Sequence, residues 1–212
     1  MRFGVYPHTQ RMTEPSRDTP RQPPIPAGWD DRPVGGTAAP YTIATLVDIR
    51  DGRGNILLLH RKKHPNKDLY SPIGGKLTTS VGESPARCAQ REIQEEAGVA
   101  VPFDHLHLSG IISEEGYNDQ HWLMFWYRVT EPIALESHEM REGRLEWHPI
   151  DSILDLPLPE TDREVIWPLA LEYSLGFFAV HIDCRGRTIS SRVDQRIRPG
   201  AVPPQGPTMG IT

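Results

Sequence analysis

Hydrophobic and polar positions follow two periods along the middle of this chain, and both fade at its ends. Tyr41 to Ile49 is apolar and β-branched and predicts a strand. Asp51-Gly52-Arg53-Gly54-Asn55 predicts a turn, and Ile56 to His60 a second strand that pairs with the first as a hairpin. His105 to Ser113 and His121 to Val129 predict two more strands, separated by a polar turn over Glu114 to Gln120. Leu145-Glu146-Trp147 reads as a short strand, Ile150 to Leu154 as a helical turn, and Phe177 to Asp183 as a last strand. The 3.6-residue period appears twice. Ala86, Ala89, Ile93 and Ala97 form a narrow apolar stripe, with Ser84 as N-cap, Pro85 at the first helical position and Gly98 as C′ residue. Val165, Ile166, Leu169 and Leu171 do the same for a second helix over Thr161 to Ser174, capped by Thr161 or Asp162.

The ends lack this patterning. Residues 1–38 are polar and Pro-rich, with Pro23-Pro24-Ile25-Pro26, and read as a disordered arm; a PxxP-type ligand is the functional alternative. Residues 185–212 read as a mostly disordered tail. Hydrophobic content of 37% and 21 prolines agree with a domain flanked by unpacked segments. A net charge of −5 gives no basis for binding a nucleic-acid backbone, and no apolar run is long enough for a membrane span. Only Cys88 and Cys184 are present, so a disulfide framework is not expected and a reducing cytoplasm is.

Charge sits oddly on the first helix. Glu92, Glu95 and Glu96 are three, four and one residue apart, and like charges at three- and four-residue spacing cost about 0.2–0.5 kcal/mol per pair. Glu95 and Glu96 also stand at the negative end of the helix dipole, a further cost of about 0.3–1 kcal/mol each. At about 100° per residue, Glu92 and Glu96 lie beside the apolar stripe rather than opposite it. A solvated charged face would put them on the far side. A hard cation, Mg²⁺ or Mn²⁺, held between the carboxylates accounts for the arrangement. Just before the Gly74-Gly75 pair, Arg61, Lys62, Lys63, His64 and Lys67 form a basic cluster, either a solvated strand end or a phosphate site.

The run Arg91-Glu92-Ile93-Gln94-Glu95-Glu96-Ala97-Gly98-Val99, with Glu83 eight positions before Arg91, resembles the signature box of the Nudix hydrolases. That family cleaves a pyrophosphate bond in a nucleoside diphosphate linked to a further group. The resemblance covers residues 39–184 and implies an α/β fold, a mixed β-sheet sandwiched between helices. The family's glycine six residues before the first Glu is Leu77 here. Gly75 takes that place if two residues are inserted within Thr78 to Val81. Trp167-Pro168-Leu169 and Gly176-Phe177-Phe178 further resemble the branch that removes oxidised purine nucleoside triphosphates, although that branch's Asn near the glycine loop is Ser71 here and its base-side Trp is unmatched.

From the resemblance, Glu92, Glu95 and Glu96 are expected to hold Mg²⁺, with the Gly74 carbonyl and a loop glutamate, Glu142 in preference to Glu139. One of these glutamates takes the proton of the attacking water; the sequence does not say which. Glu83 and Arg91 are expected to orient the ligand carboxylates. Gly75 and Lys76 would face the phosphates, and Asp162 and Glu160 the base edge. The expected substrate is a nucleoside triphosphate, ordinary or oxidised, cut to monophosphate and pyrophosphate by a monomer or homodimer. ADP-ribose or nucleotide-sugar hydrolysis, and a non-catalytic nucleotide-binding regulator, stand as alternatives.

Overall fold

The computed structural model describes residues 41–200. The expected arm over residues 1–38 lies outside them. Ten strands build two sheets. β1 (Tyr41–Asp48), β4 (Ile73–Lys76), β5 (Leu106–Tyr117), β6 (Gln120–Val129), β9 (Phe177–Asp183) and β10 (Ser190–Ile197) form a six-stranded mixed sheet in the order β10-β9-β5-β6-β1-β4. β2 (Asn55–Arg61), β3 (Tyr70–Ser71), β7 (His138–Glu139) and β8 (Gly143–Pro149) form a second, antiparallel sheet in the order β3-β2-β8-β7. The pairs β1–β6 and β5–β9 are parallel.

α1 (Pro85–Ala97) lies on one face of the large sheet. Its Ala89, Ile93 and Ala97 pack with Val47, Tyr127 and Val129 of that sheet and with Leu57 and Leu59 of the small one. On the opposite face, a π-helical turn over Asp162–Ile166 runs directly into α2 (Trp167–Glu172). Ile166, Trp167 and Ala170 close over Ile112, Met124, Trp126 and Phe178, with Trp126 and Trp167 edge to face at 4.8 Å. The helix-sheet-helix layering expected of the fold is therefore present. Among the described residues, no helix is long and apolar enough to cross a membrane.

Three expectations need correction. β1 and β2 are not a hairpin: they belong to different sheets, and the connection after β1 meets β2 through the isolated bridge Arg50–Ile56. β1 instead takes β4 and β6 as neighbours, so distant partners outbid the local turn. The polar stretch after Ser113 is not all turn. β5 continues to Tyr117, and only Asn118 and Asp119, both with positive φ, make the reversal into β6. The described part of the tail is not disordered either. Ser190–Ile197 pairs antiparallel with β9, where ladder hydrogen bonds and burial of Val193 against the core compensate for a polar sequence.

Candidate active site

The end of α1 and the strand β4 create the acidic end of a cleft. Ser84 caps α1 by accepting from the Arg87 N–H at 3.3 Å, and Gly98 closes it in the left-handed region at φ 69°. β4 runs beside β1, with Gly74 opposite Leu46 and Gly75 opposite Thr45. A Cβ on Gly75 would stand 2.1 Å from Glu92 Oε1 and 2.3 Å from its carboxyl carbon. Glycine is required there because the Glu92 carboxylate occupies the side-chain space. Between Gly75 and Glu83, the chain makes a 3₁₀ turn over Thr79–Val81.

Arg91 binds this end together. Its Nε and Nη2 donate to Glu83 at 2.9 and 3.1 Å, Nη1 to Glu92 at 2.6 Å and to Glu95 at 3.2 Å, and Nη2 to the Lys76 carbonyl at 3.2 Å. The guanidinium, with the Thr78 N–H, holds the Glu83 carboxyl down at about 2. Glu83 and Arg91 do not line the cleft; they stand behind the glutamates that do.

Glu96 is only 7% exposed, and its Oε2 has no hydrogen-bond partner. Burial, then the charges of Glu92 and Glu142, push its carboxyl up to about 8, against a hydrogen bond from the Gly74 N–H. Burial also raises Glu92. Glu142 lines the cleft beside Glu92, Glu95 and Glu96, whereas Glu139 is outside it, paired with Lys62. Buried carboxylates that repel one another and leave an oxygen unpaired fit a hard divalent cation. Among the described residues, no three acidic, histidine or cysteine side chains are already drawn together to hold one. Arg91 accounts for this by turning Glu92 and Glu95 toward itself.

The cleft encloses about 720 Å³ and reaches from these glutamates to a second acidic wall. Its floor is the face of the large sheet that carries Ala44, Met124, Trp122 and Glu114. Lys76 stands midway, its Nζ 5.2 Å from the centre of the Trp122 ring. Glu114 is 3% exposed and lies with Thr161, Asp162 and Tyr117. Burial, then the Glu114 charge, raises Asp162 to about 8, and burial raises Glu114 as well. The tip of Tyr117 donates to Asn66 Oδ1 at 2.9 Å, joining the loop after β2 to the end of β5.

Of the residues expected from sequence, Gly74, Gly75, Lys76, Glu92, Glu95, Glu96, Glu142 and Asp162 line one cleft. Glu160 does not: it is exposed, because two residues along a helical turn rotate it about 200° from Asp162. Of the basic cluster, Arg61 alone lines the cleft. Glu114, Tyr117, Trp122 and Arg141 also line it and were not foreseen. The signal for Glu114 was present, since it extends the alternation of Gly110 and Ile112 by one step.

Fold and cleft together define a small α/β domain with a glutamate-bearing helix facing a nucleotide-sized cavity. Comparison with known proteins agrees. The NUDIX domain family matches residues 40–167. An uncharacterized Nudix hydrolase, YvcI, of Bacillus subtilis (strain 168) is 27% identical over 113 residues, 52% of this chain and 68% of that protein. The NAD-capped RNA hydrolase NudC of Stutzerimonas stutzeri (strain A1501) is 29% identical over 127 residues, 58% of this chain but 43% of its own length. Among solved structures, the MutT protein from Bacillus halodurans superposes with a TM-score of 0.59 at 28% identity, covering 72% of this chain and 97% of its own. The chain belongs to the Nudix family and is a hydrolase of pyrophosphate bonds in nucleoside diphosphate derivatives.

Proposed function

We propose that the chain is a Mg²⁺-dependent pyrophosphohydrolase that cleaves a nucleoside triphosphate to monophosphate and pyrophosphate. The observation that carries this reading is the cleft itself: about 720 Å³, with carboxylates at one end, Lys76 midway and an aromatic, hydrogen-bonding wall at the other. A phosphate chain fits the first end and a base the second. Glu92, Glu95, Glu96 and Glu142, with the Gly74 carbonyl, would hold Mg²⁺ or Mn²⁺. Bound there, the cation offsets phosphate charge and lowers the pKa of water. Arg91 orients Glu92 and Glu95 from behind, and Lys76 meets the phosphates from the other side of the cleft. With a cation bound, Glu96 would be ionised, and its Oε2, which has no hydrogen-bond partner, would take the proton from water. Glu160 has no part in this reading. Two unpaired cysteines, Cys88 and Cys184, suit a reducing cytoplasm.

Chromatography of the products formed from a panel of ordinary and oxidised nucleoside triphosphates, ADP-ribose, nucleotide sugars and dinucleoside polyphosphates tests this. Mg²⁺-dependent turnover of triphosphates, lost in Glu96→Gln, is the expected result. Turnover confined to ADP-ribose or nucleotide sugars would replace the substrate. Nucleotide binding without any turnover would make the chain a regulator.

A further inference from the structure

The groups proposed to meet the cation come from two different sheets. Glu92, Glu95 and Glu96 stand on α1, which packs on β4 and β1 of the large sheet, and Gly74 is part of β4. Glu142 stands in the turn between β7 and β8, at the edge of the small sheet. On the first side, Arg91 spans Glu92 and Glu95, and the β1–β4 ladder fixes Gly74. On the second side, β7 is a two-residue edge strand, with His138 opposite Leu145 and Glu139 opposite Arg144. A cation shared by both sides requires their separation to be set.

His138 is half-buried and bridges that separation. Its Nδ1 lies 3.1 Å from the Glu136 carbonyl oxygen, and its Nε2 lies 3.3 Å from the Glu96 carbonyl oxygen. The Glu96 carbonyl belongs to the last turn of α1, where the helix supplies no N–H partner, and the ring N–H donates there instead. Glu142 follows His138 by four positions, across a turn closed by the Met140 N–H on the Gly143 carbonyl at 2.9 Å. The far side of this turn is tied to the end of β2. The Lys62 N–H donates to the Glu142 carbonyl at 2.9 Å, and the Lys62 ammonium pairs with Glu139. Among the described residues, no other hydrogen bond joins the hairpin to α1. Stopping α1 does not require the ring, because the Gly98 N–H already closes the helix on the Gln94 carbonyl.

Resting on the metal reading above, we propose that His138 is a positioning residue: by tying the Glu96 carbonyl to the β7–β8 hairpin, it holds Glu142 where it can share one divalent cation with the α1 glutamates. His138 does not line the cleft, so its effect passes through the backbone at both of its ends. One side chain then fixes how far the small sheet's carboxylate stands from those of the large sheet.

Calorimetric titration of the full chain with Mn²⁺, without nucleotide, tests the proposal. His138→Asn places its amide at the Nδ1 position and falls short of the Glu96 carbonyl, whereas His138→Gln keeps an N–H near the Nε2 position. The Asn variant is expected to bind Mn²⁺ about 10- to 100-fold more weakly than the wild type, and the Gln variant within about threefold of it. Glu142→Gln should cost a similar factor, and His138→Asn added to it should cost less than about twofold more, because both changes act on the same ligand. Amide exchange from Met140 to Gly143 in the metal-free Asn variant should be about 3- to 10-fold faster than in the wild type. An Mn²⁺ affinity of the Asn variant within about twofold of the wild type overturns the proposal, as do additive losses in the double variant. If the Asn variant does not fold, His138→Ser takes its place. Mn²⁺ binding that Glu96→Gln removes and His138→Asn spares would overturn this inference and leave the metal reading standing. A wild type that binds no Mn²⁺ would refute both.

Discussion

The two ends of the cleft hold the same kind of side chain and put it to opposite uses. At the α1 end, Glu92 and Glu95 share the Arg91 guanidinium, and Glu96 and Glu142 stand beside them. At the α2 end, Glu114 and Asp162 have a threonine hydroxyl and no cation. Burial pushes Glu96 and Asp162 to about the same value, near 8. Their neighbours then separate them. The first end keeps negative charge in place through an arginine and leaves an oxygen unpaired, which favours a cation. At the second, burial raises both acids with no arginine to oppose it, and Asp162 keeps its proton at neutral pH. On the proposed reading, position relative to a fixed positive charge, not residue type, separates the acids that would serve phosphate chemistry from those that would face the rest of the substrate.

The sharpest way to break this contrast is to neutralise one acid at the first end. Glu96→Gln keeps shape and removes the proton acceptor, and Mg²⁺-supported kcat is expected to fall about 10³-fold. A loss of less than about tenfold would move the proton to another glutamate. Gly75→Ala comes next. Its Cβ would stand 2.1 Å from Glu92 Oε1, so the carboxylate must move, and kcat/KM is expected to drop about 10²-fold with an unchanged circular dichroism spectrum. Unchanged kinetics would show that Glu92 needs no fixed place.

Stability against pH separates the ends without substrate. Glu96 and Asp162 both have folded values raised above their unfolded ones, so between about 4.5 and 8 the folded chain binds more protons than the unfolded chain. Stability of the metal-free protein should therefore fall as pH rises through that window, by several kcal/mol in urea unfolding. Glu96→Gln should flatten one share of the slope and Asp162→Asn the other. Added Mg²⁺ should cancel only the Glu96 share. The smallest effect is expected from Arg91→Lys. A lysine cannot hold Glu83 through two nitrogens while also reaching Glu92, and thermal unfolding should show a loss of about 1–2 kcal/mol together with a raised Mg²⁺ requirement.

The same contrast governs what the sequence revealed. α1 was legible from Ser84 to Gly98 because caps, stripe and misplaced acids all lie within one turn-by-turn segment, and Arg91 meets Glu95 by helical spacing alone. Of the second wall only Asp162 was legible, because its other parts come from β5 and β6, distant in sequence from the turn before α2. Glu114 looked like loop because Glu114-Glu115-Gly116 opens a polar run, which hid that Glu114 continues the alternation of Gly110 and Ile112. The supposed β1–β2 hairpin failed in the same way. Its turn chemistry was sound, with Asp51 accepting from the Arg53 and Asn55 N–H groups, but β1 gains eight paired residues against β6. β10 escaped notice because an edge strand needs only Val193 and Ile197 turned inward.

β10 also says something about timing. The NUDIX match ends at residue 167, yet Phe178, Val180 and Ile182 of β9 are core residues and Gly110 on β5 has no room for a side chain because the Phe178 ring lies against it. β1, which opens the sheet, waits for β6, and β5 waits for β9. A chain emerging from the ribosome can form α1 early but cannot close the sheet until its final strands have left the tunnel. Within α1 itself Arg91 already pairs with Glu92 and Glu95, so the helix carries part of its charge compensation inside its own segment, independent of strands added later along the chain.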